Sequence, residues 1–192
     1  MSLTSLFVMA ALAQAGPNPT MAPNFTGTTA TGEQLTLEQF RGKYVVLEWW
    51  NHQCPVVMHH YGNGGMQSLQ KEMTEKGVVW ISICSSAPGK QGHVDGRMAL
   101  EVMKQNDAHP THVVLDATGV IGRLYAAKTT PHMFVISPTG EKLYDGAIDN
   151  NRNGNMPAGQ VVNYVRQAFT QASGGQRVSV PTSQPYGCSV KY

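Results

Sequence analysis

At 192 residues the chain is long enough to bury a core of its own, and it reads as one domain with terminal extensions. Its formal net charge of +2 selects no partner. With no basic stripe, no aromatic-basic alternation and no nucleic-acid motif, binding to DNA or RNA is not expected. Charged residues make up 14% of the chain against about a quarter in ordinary domains, and with abundant Asn, Gln, Gly and Thr this hints at an exported protein.

From the N-terminus, residues 1–21 are expected to be a signal-peptide remnant or a flexible extension. Leu6-Phe7-Val8-Met9-Ala10-Ala11-Leu12-Ala13-Gln14-Ala15 is a short apolar run ending in Ala-x-Ala, the pattern of an h-region and a cleavage site, although no Lys or Arg precedes it. The run falls far below the ~20 residues of a membrane-crossing helix, so no membrane span is expected. Export to a bacterial periplasm or the extracellular space is the localisation this implies. Asn24-Phe25-Thr26 is a glycosylation sequon, with meaning only in a eukaryotic secretory pathway.

Residues 22–173 are expected to form the domain. A strand near 44–50 opens on Tyr44-Val45-Val46-Leu47, and helical material follows from 55, broken or kinked by Gly62, Gly64 and Gly65 and supported at helical period by Met66, Leu69 and Met73. Next come a strand near 78–84, a helix near 97–106, a strand near 112–116 and a short helix near 119–125. Strands near 133–137 and 141–147 follow, and then a helix near 157–172 whose apolar positions are Val161, Val165 and Phe169. Such alternation implies a central, largely parallel sheet covered by helices, with no internal repeat. Trp49 and Trp50 are expected to divide between the sheet faces. Residues 174–192 read as a polar, flexible tail carrying Cys188.

The segment Trp49-Trp50-Asn51-His52-Gln53-Cys54-Pro55-Val56-Val57 delivers a cysteine from a buried strand to a helix start. Free N–H groups and the positive end of the helix dipole favour thiolate over thiol there, and the thiolate is the redox nucleophile. Pro55 suits the first helical position, where a missing N–H costs nothing. His52 is placed to tune Cys54 or to donate a proton, or else is a solvated loop residue. Three cysteines in an exported chain leave one over. Cys84, which ends Val78-Val79-Trp80-Ile81-Ser82-Ile83, and Cys188 are the candidate resolving thiols for Cys54. Alternatively, Cys84 is a small buried residue, or it pairs with Cys188 in a structural disulfide.

Two metal patterns are present and neither leads to an assigned site. His52, His59 and His60 flank Cys54, and thiolate with imidazole suits zinc or copper, but the adjacent His59 and His60 point to different helix faces. Asp149-Asn150-Asn151-Arg152-Asn153-Gly154 opens like a calcium loop, yet Gln160 stands where a bidentate Glu is required. No cofactor and no metal are expected.

The segment around Cys54 resembles the active-site turn of the thioredoxin superfamily, in its redoxin or AhpC/TSA branch. Ala22-Pro23-Asn24-Phe25, Gly32-Glu33-Gln34-Leu35-Thr36-Leu37 and Phe40-Arg41-Gly42-Lys43 are similar to the N-terminal hairpin and the entry to the first core strand. Thr129-Thr130-Pro131-His132-Met133-Phe134-Val135-Ile136 resembles the cis-proline loop with its strand. Ser137-Pro138-Thr139-Gly140-Glu141-Lys142-Leu143-Tyr144-Asp145-Gly146 resembles the turn and hairpin strand after it, with Gly140 in the turn.

The resemblance covers residues 22–173. It implies a thioredoxin-like α/β fold: a central mixed sheet flanked by helices, with an N-terminal β-hairpin and an inserted β/α segment. The strand 44–50 would lie beside 78–84 and beside the strand after Pro131. Pro131 would pack cis against the Cys54 sulfur, and the backbone before it would pair with an extended thiol substrate.

Two departures are visible. Val57 stands at the second cysteine position of Cys-x-x-Cys, so no disulfide closes within the turn. Leu47 and Asn51 stand where a peroxiredoxin has proline and a hydroxyl residue, leaving Asn51 or His52 as partial substitutes. The function implied is a thiol-dependent oxidoreductase in which Cys54 attacks a peroxide or a disulfide and is reset by Cys84, Cys188 or an external thiol. Its site would comprise Cys54, Pro55, Thr130, Pro131, Asn51 and His52. The partner would be a peroxide or a thiol/disulfide protein, with the oligomeric state left open. The alternative is a non-catalytic thioredoxin-fold binding module or a copper-handling protein.

Overall fold

In the computed structural model residues 20–192 are described, so the apolar run Leu6–Ala15 lies outside the described residues. The centre of the sheet is β3 (Val45–Trp49), whose five residues are all buried. Successive side chains of a strand point to opposite faces. Val46 accordingly joins Met66, Leu69, Met73, Trp80 and Met133 on one face, while Leu47 and Trp49 join Ile81, Ile83, Val114 and Phe134 on the other. Trp50, just past the strand, falls on the Val46 side, so the two tryptophans do divide between faces.

β3 pairs in parallel with β4 (Val79–Cys84) and antiparallel with β7 (His132–Ile136). β4 continues in parallel to β5 (His112–Leu115). The hairpin of β1 (Thr26–Thr29) and β2 (Gln34–Thr36) adds antiparallel to β5, and β8 (Lys142–Gly146) adds antiparallel to β7. The order β2-β1-β5-β4-β3-β7-β8 is therefore a mixed sheet. It is parallel only at its centre, which corrects the largely parallel arrangement that simple βα alternation suggests. Short turns join β1 to β2 and β7 to β8, and such turns reverse the chain, whereas a crossover is needed to keep it parallel.

Helices α1 (Pro55–Gly62) and α2 (Gly65–Glu75) follow β3. The break between them falls at Gly64, whose φ of +76° is a left-handed conformation that glycine adopts without penalty. α3 (Gly96–Gln105) and β5 form the inserted β/α segment, followed by α4 (Val120–Leu124).

The last helix starts later than the apolar periodicity suggests. Ala158–Gln160 is a short 3₁₀ turn, Val161 is extended, and α5 runs Tyr164–Ser173. The Asn163 side chain sets the start by accepting the Arg166 N–H at 2.9 Å, an N-cap that a hydrophobic count does not register.

The C-terminal segment is not a free tail. Val178 and Tyr186 are buried, and the Ser183 hydroxyl accepts the Ala147 N–H at 2.9 Å. β9 (Cys188–Ser189) pairs antiparallel with β6 (Thr129–Thr130). Val178 and Tyr186 join one face of the core and Val190 packs against the other, while β6 supplies backbone partners.

Candidate active site

The Trp50 N–H donates to the Ile83 carbonyl at 2.9 Å, carrying the β3–β4 ladder one step past the strand before the chain turns. Asn51 then builds the turn. Its Oδ1 accepts the Gln53 N–H at 2.8 Å, its Nδ2 donates to the Gln91 carbonyl at 3.3 Å, and its own carbonyl accepts the Cys54 N–H at 3.0 Å. Asn51 is fully buried and braces the loop against the 85–95 segment. Both ends of its side-chain amide thus hold the loop.

Cys54 is the N-cap residue of α1 with Pro55 at the first helical positions. Its side chain is fully buried. The Sγ–H donates to the Thr130 carbonyl at 3.0 Å, and the Cys188 N–H donates to the same sulfur at 3.4 Å. Burial pushes the thiol up, but the Cys188 thiol beside it, the Val57 and Cys188 N–H groups and the neighbouring Thr130 outweigh it and hold Cys54 below the ordinary thiol range. Cys188 is the complement: burial and its hydrogen bond to Cys54 push its pKa up to about 11. The Thr130–Pro131 peptide bond is cis.

The fold brings Cys188 onto Cys54 and turns Cys84 elsewhere. The Cys84 thiol donates to the Gly92 carbonyl at 3.3 Å, and burial pushes its pKa up. The alternative of a Cys84–Cys188 disulfide is therefore overturned: all three cysteines are free thiols, and the two with opposed shifts face each other. The buried His52 Nδ1 has no hydrogen-bond partner among the described residues. Its ring lies 5.8 Å from that of Trp50, and burial pushes its pKa down. His59 faces Asn63, and His60 faces the Tyr186 hydroxyl at 3.2 Å.

Three features escape the sequence reading. Glu48 is fully buried within β3 and accepts from Tyr61 Oη (3.0 Å), Gln70 Nε2 (3.1 Å), Trp80 Nε1 (2.9 Å) and Ser82 Oγ (2.8 Å). Burial outweighs these donors and raises its pKa. The signal was available, since a charge inside Val45-Val46-Leu47-Glu48-Trp49 has no ordinary packing reason.

The second feature is the chain His60–Tyr186–Asp149, in which the Tyr186 hydroxyl donates to Asp149 Oδ1 and meets His60 Nε2. The same Asp149 oxygen accepts the Asn151 N–H, and Asn151 Oδ1 accepts that of Met156, so the calcium-like loop spends its oxygens on its own backbone and on Tyr186. Third, a cleft of about 350 Å³ lies over Cys188, lined by Pro55, Val56, Arg152, Asn153, Tyr186 and Gly187.

The sheet, the cysteine at the start of α1 and the facing Thr–Pro loop define a thioredoxin-like α/β protein of the redoxin type. The narrower assignment comes from the AhpC/TSA family, whose model matches residues 19–141; the chain belongs to this family. No curated protein matches it.

Among solved structures it is similar to an uncharacterized conserved protein from Geobacillus kaustophilus, at a TM-score of 0.80 and 23% identity over 93% of this chain and 94% of that one. It is also similar to a hypothetical protein from Sinorhizobium meliloti, at 0.77 and 20% over 93% and 96%. The thioredoxin domain of a thiol-disulfide oxidoreductase from Bacteroides vulgatus aligns at 0.52 and 18% over 68% and 89%. At these identities the likeness establishes the fold. Among the described residues, no helix is long and apolar enough to cross a membrane.

Proposed function

We propose that the chain is a thiol oxidoreductase whose redox couple is Cys54 and Cys188, with Cys54 as the nucleophile and Cys188 as the resolving thiol. The observation that carries this reading is the Cys188 N–H donating to the Cys54 sulfur at 3.4 Å, which seats the two cysteines side by side. A partner 134 residues away in sequence thus takes the place of the absent second cysteine of the turn.

With a hydroperoxide, the Cys54 thiolate attacks the terminal oxygen. The S–O bond forms, the O–O bond breaks, and the alkoxide or hydroxide takes a proton and leaves as alcohol or water, giving a sulfenic acid. The Cys188 thiol then attacks the Cys54 sulfur, the S–S bond forms, and hydroxide leaves with the Cys188 proton as water. With a disulfide, Cys54 forms a mixed disulfide and Cys188 displaces the second thiol. In both routes two thiols lose two electrons and the oxidant gains them. An external thiol resets the pair by attack on Cys188 through the cleft above it.

Within this reading Thr130 supplies the carbonyl that holds the protonated sulfur, Pro131 fixes that carbonyl, and Asn51 positions the loop. His52, whose ring is tilted against that of Trp50, takes no part in these steps. The Leu6–Ala15 run supports export, and the mass of the mature N-terminus in the producing cell checks it.

The function is tested by treating reduced protein with one equivalent of hydrogen peroxide and mapping all three cysteines by mass spectrometry. A Cys54–Cys188 disulfide with Cys84 still a thiol is expected. A Cys54 thiol untouched by either a peroxide or a disulfide over many minutes would sink the proposal.

A further inference from the structure

Among the described residues β6 has a single strand partner, and that partner is the chain's own C-terminal segment. A short strand edge beside a reactive sulfur is where an extended peptide adds as a further strand. Here the place is filled: Cys188 sits opposite Thr130 and Ser189 opposite Thr129. The fit allows no side chain at the preceding residue. A Cβ on Gly187 would lie 2.1 Å from the Thr130 carbonyl oxygen and 3.4 Å from the Pro131 nitrogen, and its φ of +131° disfavours any other residue.

The segment is anchored on both sides of the cysteine. Before it, Tyr186 is buried with its hydroxyl on Asp149 and His60. After it, the Val190 N–H donates to the Lys128 carbonyl at 3.1 Å, the Lys191 carbonyl accepts the Ala87 N–H at 2.8 Å, and the Tyr192 hydroxyl donates to the Ala127 carbonyl at 3.0 Å. Cys54 lies beneath with no exposed surface.

We infer that residues 186–189 act as a built-in pseudosubstrate, so that Tyr186 and Gly187 determine specificity by excluding peptide and protein disulfides from Cys54 while leaving it open to small oxidants. The inference rests on the Cys54/Cys188 reading and narrows its substrate class. A peptide disulfide needs a strand along Thr129–Thr130 and a sulfur in line with Cys54, and both places are taken by this segment. A small oxidant needs only local side-chain motion at Cys188, which is far faster than loss of a paired strand.

The test uses the full reduced chain and two probes: hydrogen peroxide, and an extended peptide whose single cysteine is in mixed disulfide with thionitrobenzoate. In the second, Cys54 attacks the peptide sulfur, the new S–S bond forms, and coloured thionitrobenzoate leaves with the electron pair of the broken bond. Wild-type protein is expected to form the Cys54–Cys188 disulfide with peroxide and to release thionitrobenzoate slowly. Gly187→Val and Tyr186→Ala, which dislodge the segment, should release it at least about tenfold faster.

Gly187→Val and Tyr186→Ala both retain the Cys54 and Cys188 thiols, so a faster release in them reports lost exclusion and not a lost resolving thiol. Near-ultraviolet circular dichroism and thermal melting of each variant establish that it is folded. Equal peptide rates in wild type and both dislodged variants overturn the inference while leaving the redox couple intact. Failure of both probes to modify Cys54 in any chain overturns the redox couple as well.

Discussion

Cys54 and Glu48 lie six residues apart, are both fully buried, and carry opposite pKa shifts. At Cys54 the Val57 N–H at the start of α1 and the Cys188 N–H of β9, together with the Cys188 thiol and the neighbouring Thr130, outweigh burial. At Glu48 four side-chain donors from α1, α2 and β4 are present, yet burial wins. The difference teaches that the number of hydrogen bonds does not set the sign. A carboxylate loses far more hydration than a thiolate, and a position in mid-sheet removes all of it, whereas a helix start keeps oriented backbone dipoles aimed at the charge. One buried acid is poised to ionise, and the other is held toward its neutral form.

The largest effect expected from breaking this contrast is at the sulfur. Cys54→Ser should lower oxidant consumption by about a thousandfold or more, because the proposed nucleophile is gone, while circular dichroism stays native. Retained activity in that variant would remove Cys54 from the chemistry.

At the other pole, Glu48→Ala strands four buried donors and should destabilise the fold by about 3 kcal/mol or more, read as a shift in the urea midpoint. Glu48→Gln keeps an acceptor and sharpens the comparison through pH. A carboxyl whose folded pKa is raised stabilises the fold fully below its unfolded pKa, and that stability is lost as pH rises through the folded value. Wild type should therefore lose stability relative to Glu48→Gln as pH is raised from the acid side. A constant difference across pH would show that Glu48 does not titrate upward.

Smaller effects follow at the sulfur's partners. Alkylation of Cys54 should reach half its maximal rate at a pH below that of an ordinary thiol, and Cys188 only toward about 11. Cys188→Ala removes the lowering thiol contact, so the Cys54 profile should move to higher pH and its rate at neutral pH should fall several-fold. The smallest change is expected for His52→Ala, whose ring is tilted against that of Trp50. A Cys54 profile that moves as far in this variant as in Cys188→Ala would restore His52 to the site.

What the amino-acid sequence determined by itself was local. Val45-Val46-Leu47 followed by Cys54-Pro55 makes a buried strand and a helix start because apolar β-branched residues and a proline at the first helical turn have few alternatives. Met66, Leu69 and Met73 mark α2 by their period alone, and all three are buried. The central position of β3 and the Thr130–Pro131 loop beside it followed from the resemblance, since strand order is not written in any one segment.

The tertiary structure alone decided the rest. Cys84 ends an apolar run and Cys188 lies in a polar stretch, and only the pairing of β9 with β6 put Cys188 against Cys54, while Cys84 faces Gly92. Val161 has the period of α5 but lies before its start, because the Asn163 side chain caps the helix there. That the Asn51 amide holds the loop at both ends is visible only once Gln53 and Gln91 are seen around it. In each case the outcome turns on which distant group satisfies a polar atom, and that depends on the packing of the whole chain.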